Sequence, residues 1–221
     1  MPKRKIQRFA ENETFPHFFQ PAFSDIAGGY KWKGRWKEGF FKNENPLVLE
    51  LGCGKGEFTV GLGRKYPEKN FIGIDLKGAR MWRGAKSSHE LKMQNVAFVR
   101  TRIEQIEYIF GNDEVNEIWI TFPDPQPNKP RTKKRLTSPL FLDRYRRIAA
   151  PGCIVHLKTD NSLFFEYTLS VIEEQNLPLI FHSWDVDKNP GGDDVVDIRT
   201  HYEEIFREQG DKIKYLRFRL C

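Results

Sequence analysis

Short apolar runs recur along the chain at 47–51, 71–75, 96–100, 117–122, 153–158, 179–184 and 214–220. They are rich in β-branched and aromatic residues, and turn residues flank most of them, so they predict strands. Stretches of helical length and apolar spacing lie between them, at 57–66, 78–93, 104–110, 139–150, 164–175 and 199–209. This alternation predicts an α/β fold, a mostly parallel sheet with helices on both faces. The last run, Tyr215-Leu216-Arg217-Phe218-Arg219-Leu220, alternates apolar and polar positions. Such alternation predicts one packed and one wet face, as on a strand at a sheet edge.

Two segments break the pattern. Residues 1–45 hold clustered aromatics (Phe15, Phe18, Phe19, Trp32 and Trp36 among them), a Gly28-Gly29 pair and many lysines. They predict an extension draped over a domain of residues 46–221. The stretch 123–139 carries Pro123, Pro125, Pro127, Pro130 and Pro139. Proline removes a backbone donor, so neither a helix nor a central strand is expected there, but a long loop. Ordered loops of that length are often functional.

Composition narrows the class. The chain has 221 residues, with 39% hydrophobic and 14% aromatic, which excludes a disordered polymer. No apolar run approaches the ~18 residues of a membrane span, and no apolar segment follows the basic start, so neither a membrane anchor nor a secretory leader is expected. Three widely spaced cysteines without a Cys-x-x-Cys argue against a disulfide framework or a zinc site and fit a reducing cytoplasm. The five histidines show no ligand spacing, so no metal is expected. Charge is informative by position. Residues 1–9 hold four cationic side chains and no acid, and residues 128–147 hold eight against Asp143 alone. With a total of +6, the remainder is left with a net −5. Two concentrated basic patches suit a polyanionic partner.

The strongest motif is Glu50-Leu51-Gly52-Cys53-Gly54-Lys55-Gly56-Glu57, placed where a strand ends and a helix opens. In open α/β sheets ligands sit beyond the carboxyl ends of the strands, at such turns. A dinucleotide site would need a glycine where Glu57 stands, and an acid in the first helical turn repels a pyrophosphate. S-adenosylmethionine has no phosphate and carries a cationic sulfonium and amino group, so it suits the acids better. Asp75 ends the next predicted strand, where a carboxylate can accept both ribose hydroxyls. Downstream, Phe122-Pro123-Asp124-Pro125-Gln126-Pro127 holds Asp124 on a stiff backbone beside the basic run. The motif is not the acid-Pro-Pro-aromatic type of amino-directed methyltransferases, and no cysteine is placed to attack a base. A guanine N7 needs neither device, because its lone pair is exposed and carries no proton. A carboxylate then tolerates the positive charge that develops on the base.

Together with Leu157-Lys158-Thr159-Asp160 and Thr200-His201-Tyr202-Glu203-Glu204, these motifs resemble the bacterial tRNA (guanine-N7)-methyltransferase family over residues 46–220. The resemblance implies a Rossmann-like class I methyltransferase sheet of seven strands, the last antiparallel. It implies methyl transfer from S-adenosylmethionine to a guanine of the tRNA variable loop, in the cytoplasm, by a monomer or homodimer without metal or membrane. It also implies cofactor contacts at Glu50, Gly52, Gly54, Gly56, Asp75 and Asp124, with Asp124 also catalytic, and guanine or substrate contacts at Asp160, Thr200, His201, Tyr202 and Glu203. Two positions depart from the family pattern. Arg102 stands where an acid or Asn usually meets adenine, so backbone at Arg102 and Ile103 would have to serve. The usual substrate lysine falls on Asn128, with Lys129 beside it.

Overall fold

The computed structural model describes residues 3–220, without the side chains of Lys3, Lys129 and Asp193. Its centre is one sheet whose strands are β1 (Phe18–Phe19), β2 (Leu47–Leu51), β3 (Asn70–Asp75), β4 (Val96–Arg100), β5 (Val115–Thr121), β6 (Ala149–Thr159), β7 (Leu179–Ser183) and β8 (Lys214–Arg219). Their spatial order is β1-β4-β3-β2-β5-β6-β8-β7. All neighbours are parallel except β8, which runs against both β6 and β7. Leu47, Leu49, Leu51, Ile72, Ile74 and Ile118 pack inside one hydrophobic cluster, and strands covered on both faces read as continuous apolar runs rather than alternating ones.

The principal helices are α1 (Lys3–Thr14), α2 (Phe23–Ala27), α3 (Glu57–Lys65), α4 (Gly78–Glu90), α5 (Ile106–Ile109), α6 (Pro139–Arg146), α7 (Ser162–Glu174), α8 (Asp193–Asp197) and α9 (His201–Glu208). Among the described residues no helix is long and apolar enough to cross a membrane.

Four expectations change. The sheet has eight strands rather than seven, because two residues of the 1–45 segment pair with β4, where the Phe98 N–H also donates to the His17 carbonyl at 2.8 Å. β8 is not the edge strand: it lies between β6 and β7, and its polar-looking face is covered at Tyr215, whose hydroxyl meets His156 Nδ1 at 2.8 Å. The predicted helix 139–150 stops at Arg146, and Ala149 already begins β6. The proline-rich stretch contains a 3₁₀ helix, Lys129–Lys134, with Pro130 in its first turn, where a missing N–H leaves no bond unmade.

The 1–45 segment is integral to the packing. The Trp36 side chain is fully buried and donates from its indole to the Ile109 carbonyl at 3.1 Å. The buried Glu114 carboxylate accepts from the backbone N–H groups of Gly34, Trp36 and Gly111 at 2.9, 2.8 and 2.7 Å. At the other end α1 lies on α4, with Asn12 Nδ2 donating to the Gly78 carbonyl at 2.9 Å and the Trp82 indole donating to Glu11 at 2.8 Å.

Candidate active site

Strand order reverses at β2, which has β3 on one side and β5 on the other. A crevice opens beyond the carboxyl ends of the strands at such a point. The glycine turn leads out of β2 there. Gly52 has φ +79°, and a Cβ added to it would meet nothing within 4 Å, so the space above the turn is open to a ligand. Gly56 is required for the opposite reason: a Cβ there would lie 2.6 Å from the Phe98 ring. The turn borders a cavity of about 410 Å³ lined also by Glu50, Asp75, Asp124, Asp160 and Tyr202.

Glu50 reaches this cavity from the strand but is held by the protein. One carboxylate oxygen accepts from the Thr59 N–H at 2.8 Å and from the Thr59 hydroxyl, and the other accepts from the Thr121 hydroxyl at 2.7 Å. The bonds tie β2 to the start of α3 and to the end of β5. Burial pushes its pKa up to about 7, against the lowering effect of those hydrogen bonds and with Asp75 adding to the rise.

Asp75 is oriented by two backbone donors, Gly54 N–H at 3.0 Å and Lys77 N–H at 2.8 Å. Each bond uses one oxygen, so lone pairs remain for a diol. Gly52, Asp75 and Leu136 also line a second cavity of about 400 Å³, which reaches Arg102 and Ile103. The two cavities share Gly52, Asp75 and Leu136 in their linings, so Asp75 faces both. Arg102 is exposed, with Ile103 half-buried behind it.

Asp124 is exposed at the rim, where its carboxylate accepts from the Gln126 N–H at 3.1 Å. The flanking residues are in an unusual conformation, with φ +47° at Phe122 and +45° at Gln126. Strained backbone at a site persists only when the surroundings over-determine it. Here Phe122 N–H donates to the Lys158 carbonyl at 2.8 Å, and Arg135 donates to the carbonyls of Pro125 and Gln126 at 3.0 and 3.3 Å. Arg135, read in the sequence as part of a phosphate-binding run, is therefore a buried staple of the acid loop. Asn128 is exposed at the head of the 3₁₀ helix; the Lys129 side chain lies outside the described residues.

Asp160 lines the cavity half-buried, and burial raises its pKa. It is not the cap of α7: Asn161 is, accepting from the Phe164 N–H at 2.8 Å. Across the cavity, Thr200 caps α9 by accepting from the Glu203 N–H at 3.2 Å. Tyr202 stands over the glycine turn, 4.0 Å from where a Cβ on Gly54 would be. His201 is exposed, and its backbone N–H donates to Glu57 at 2.8 Å. Glu203 departs from the expected direct contact with guanine. It has no exposed surface, and its carboxylate meets Lys158 Nζ at 2.6 Å and Arg207 Nε at 3.0 Å. A carboxylate so engaged offers no face to a base.

Thr121, Leu136 and Phe206, to which the sequence pointed no role, complete the cavity wall; exposed Lys77 and Arg80, part of a basic stretch that reads in the sequence as a solvated helix face or a phosphate contact, also line it. Lys77 and Arg80 also line a neighbouring groove of about 560 Å³ with Arg4, Arg8 and Arg100, between α1 and α4. Phosphates of a polyanion fit that cationic groove. The inner cavity offers a different chemistry: an open glycine turn, an oriented acid for a diol and a buried acid beneath. That donor set fits S-adenosylmethionine and would repel a pyrophosphate. Among the described residues no group of three or more His, Cys, Asp or Glu is placed to hold a metal ion.

Comparison with known proteins agrees with this geometry. Residues 44–216 match the model of a family described as putative methyltransferase. A tRNA (guanine-N(7)-)-methyltransferase of Christiangramia forsetii is 50% identical over 220 residues, covering 99% of this chain and 98% of that protein. One from Clostridium novyi is 36% identical over 196 residues, covering 89% and 90%. Among solved structures, the 16S rRNA methyltransferase KamB superposes with a TM-score of 0.63 at 14% identity, over 82% of this chain and 91% of that one. At that identity the match speaks for the fold alone.

Proposed function

Because the chain belongs to the tRNA (guanine-N7)-methyltransferase family, we propose a division of labour among its residues for that reaction. The enzyme transfers a methyl group from S-adenosylmethionine to N7 of a guanine in tRNA. We infer that this guanine lies in the variable loop. The observation that supports the assignment is one cavity bordered by the glycine turn, Asp75, Asp124, Asp160 and Tyr202.

When bound, S-adenosylmethionine supplies an electrophilic methyl group on a sulfonium. Asp75 would hold the ribose, Gly52, Gly54 and Gly56 let the ligand approach the backbone, and Glu50 places negative charge beneath the cationic tail. Arg102 and Ile103 border the adenine end with their backbone. N7 carries no proton, so no side chain has to act as a base. The base becomes cationic as the new bond forms, and the role of Asp124 is to stabilise that charge. Asp160 would accept from guanine N1–H and the exocyclic amine, a donor pair adenine lacks. Tyr202 closes the cavity over the glycine turn, with Thr200 and His201 setting the start of its helix. Asn128 and Lys129, with the exposed Arg131, Lys133 and Lys134, would meet the RNA backbone, as would the groove between α1 and α4.

We assign the chemistry to residues 46–221, with 1–45 as a packed extension, working in the cytoplasm as a monomer or homodimer. Replacing Asp124 by Ala tests the central role. It is expected to lower kcat by about a hundredfold while S-adenosylhomocysteine affinity changes little. Equal losses in both would make Asp124 a cofactor ligand instead.

A further inference from the structure

Lys158 lies one residue before the end of β6, and the roles described above leave its side chain without a task. Its side chain is fully buried, as is that of its partner Glu203. A buried ammonium is costly unless it is paired, so the pair is maintained against a large desolvation penalty. Three connections converge on Lys158. Its carbonyl accepts from the N–H of Phe122, which opens the acid loop. Its ammonium donates to the Ile198 carbonyl at 3.4 Å, two residues before the cap of α9, and meets Glu203 inside that helix. Phe206 of the same helix stacks on Phe122 with ring centroids 5.8 Å apart. Beyond Glu203, Arg207 extends the chain of charges to Asp187 at 2.6 Å.

We propose that Lys158 and Glu203 form a positioning pair that locks the Tyr202-bearing helix to the end of β6, to which the loop carrying Asp124 is hydrogen-bonded through Phe122, and that Glu203 does not contact guanine. The local sequence supports this. Thr200-x-x-Glu203 is a capping-box pattern, whose acid ordinarily reaches back to the N-cap backbone N–H. Here the Thr200 half is made, while the Glu203 carboxylate is turned inward to Lys158. The motif is thus explained by folding chemistry alone, and base recognition falls to the residues that border the cavity, Asp160 and Tyr202.

The test compares Glu203→Gln, Lys158→Met and the double variant in the full-length enzyme. It uses tRNA methylation kinetics, S-adenosylhomocysteine calorimetry and thermal unfolding. Glu203→Gln leaves a buried ammonium short of its partner and is expected to lose about tenfold to a hundredfold in kcat, because a small displacement of the reacting groups suffices. Its KM for tRNA and its S-adenosylhomocysteine affinity are expected to stay within about threefold of wild type. The double variant replaces the pair with neutral groups of similar shape and is expected to recover most of the lost kcat. A direct guanine ligand could not be rescued by changing Lys158. A double variant no faster than Glu203→Gln, or a Glu203→Gln enzyme whose KM rises at constant kcat, overturns the proposal. Should Glu203→Gln fail to fold, a double variant within about tenfold of wild-type kcat supports the pair and a lower value overturns it. The inference rests on the guanine-N7 reading for its assay, and the 7-methylguanosine yield of the wild type checks that reading separately.

Discussion

Glu50 shows how far a single residue's role depends on its surroundings. In the sequence it is an acid before a glycine turn; in the fold it is a buried acid tied to Thr59 and Thr121. Burial raises its pKa from the ordinary 4.5 to about 7. The folded state therefore favours the protonated form. The stability gained from that is complete below the ordinary value and is lost as pH rises through about 7. Attraction for a cationic ligand runs the other way, because it needs the ionised form. S-adenosylmethionine affinity is therefore expected to rise several-fold between about pH 6 and about pH 8, and to be weaker and flat across that window in Glu50→Gln. Calorimetric titration at a series of pH values checks this, and a wild-type profile as flat as the variant's would contradict it. The Thr partners were invisible in the sequence because they lie nine and 71 positions from Glu50. Lys158 did leave a signal: a lysine near the end of a mostly apolar strand implies a buried partner.

At the scale of elements, the alternation of strands and helices was legible because each buried parallel strand must be apolar throughout. What escaped were features set by tertiary contacts. β1 has two residues, too few for any periodicity, and forms because β4 offers it a free edge. The alternation in β8 was read correctly as two faces but placed wrongly, since Tyr215 is covered by Trp119 and His156 rather than by water. The aromatics of residues 1–45 looked like a draped extension, yet Trp36 lies in the main core. Trp36→Ala is expected to cost about 3–5 kcal/mol, the range for deleting a large buried side chain. Phe23→Ala, at a residue 55% exposed, is expected to cost less than about 1 kcal/mol. Urea denaturation distinguishes them; similar values for both would show that the extension is not part of the cooperative unit.

For the whole molecule, the modest net charge of +6 conceals a division between an acidic cavity and a basic rim. The structure redraws that rim. Of the run 128–147, Arg135 staples the acid loop, Arg144 and Arg147 hold Glu107 at 2.8 and 2.6 Å, and Arg146 holds Asp143 at 2.7 Å. Among the described side chains of that run, Arg131, Lys133 and Lys134 are the exposed cations that no acid holds, and the α1–α4 groove supplies further cations. Counterion release makes each phosphate contact visible in the salt dependence of binding. Replacing both Arg4 and Arg8 with Ala is expected to reduce the slope of log K against log salt by about one to two units. Arg144→Ala, whose partner is Glu107, is expected to leave the slope unchanged. Equal slopes in all three proteins would remove the groove from the docking surface.

The most direct test of the account is chemical. The purified protein is incubated with labelled S-adenosylmethionine and unmodified tRNA, and the RNA is digested to nucleosides. The account predicts that the label appears in 7-methylguanosine and that Asp124→Ala nearly abolishes it. Label in another nucleoside, or none in RNA by a protein that demonstrably binds the cofactor, would contradict it.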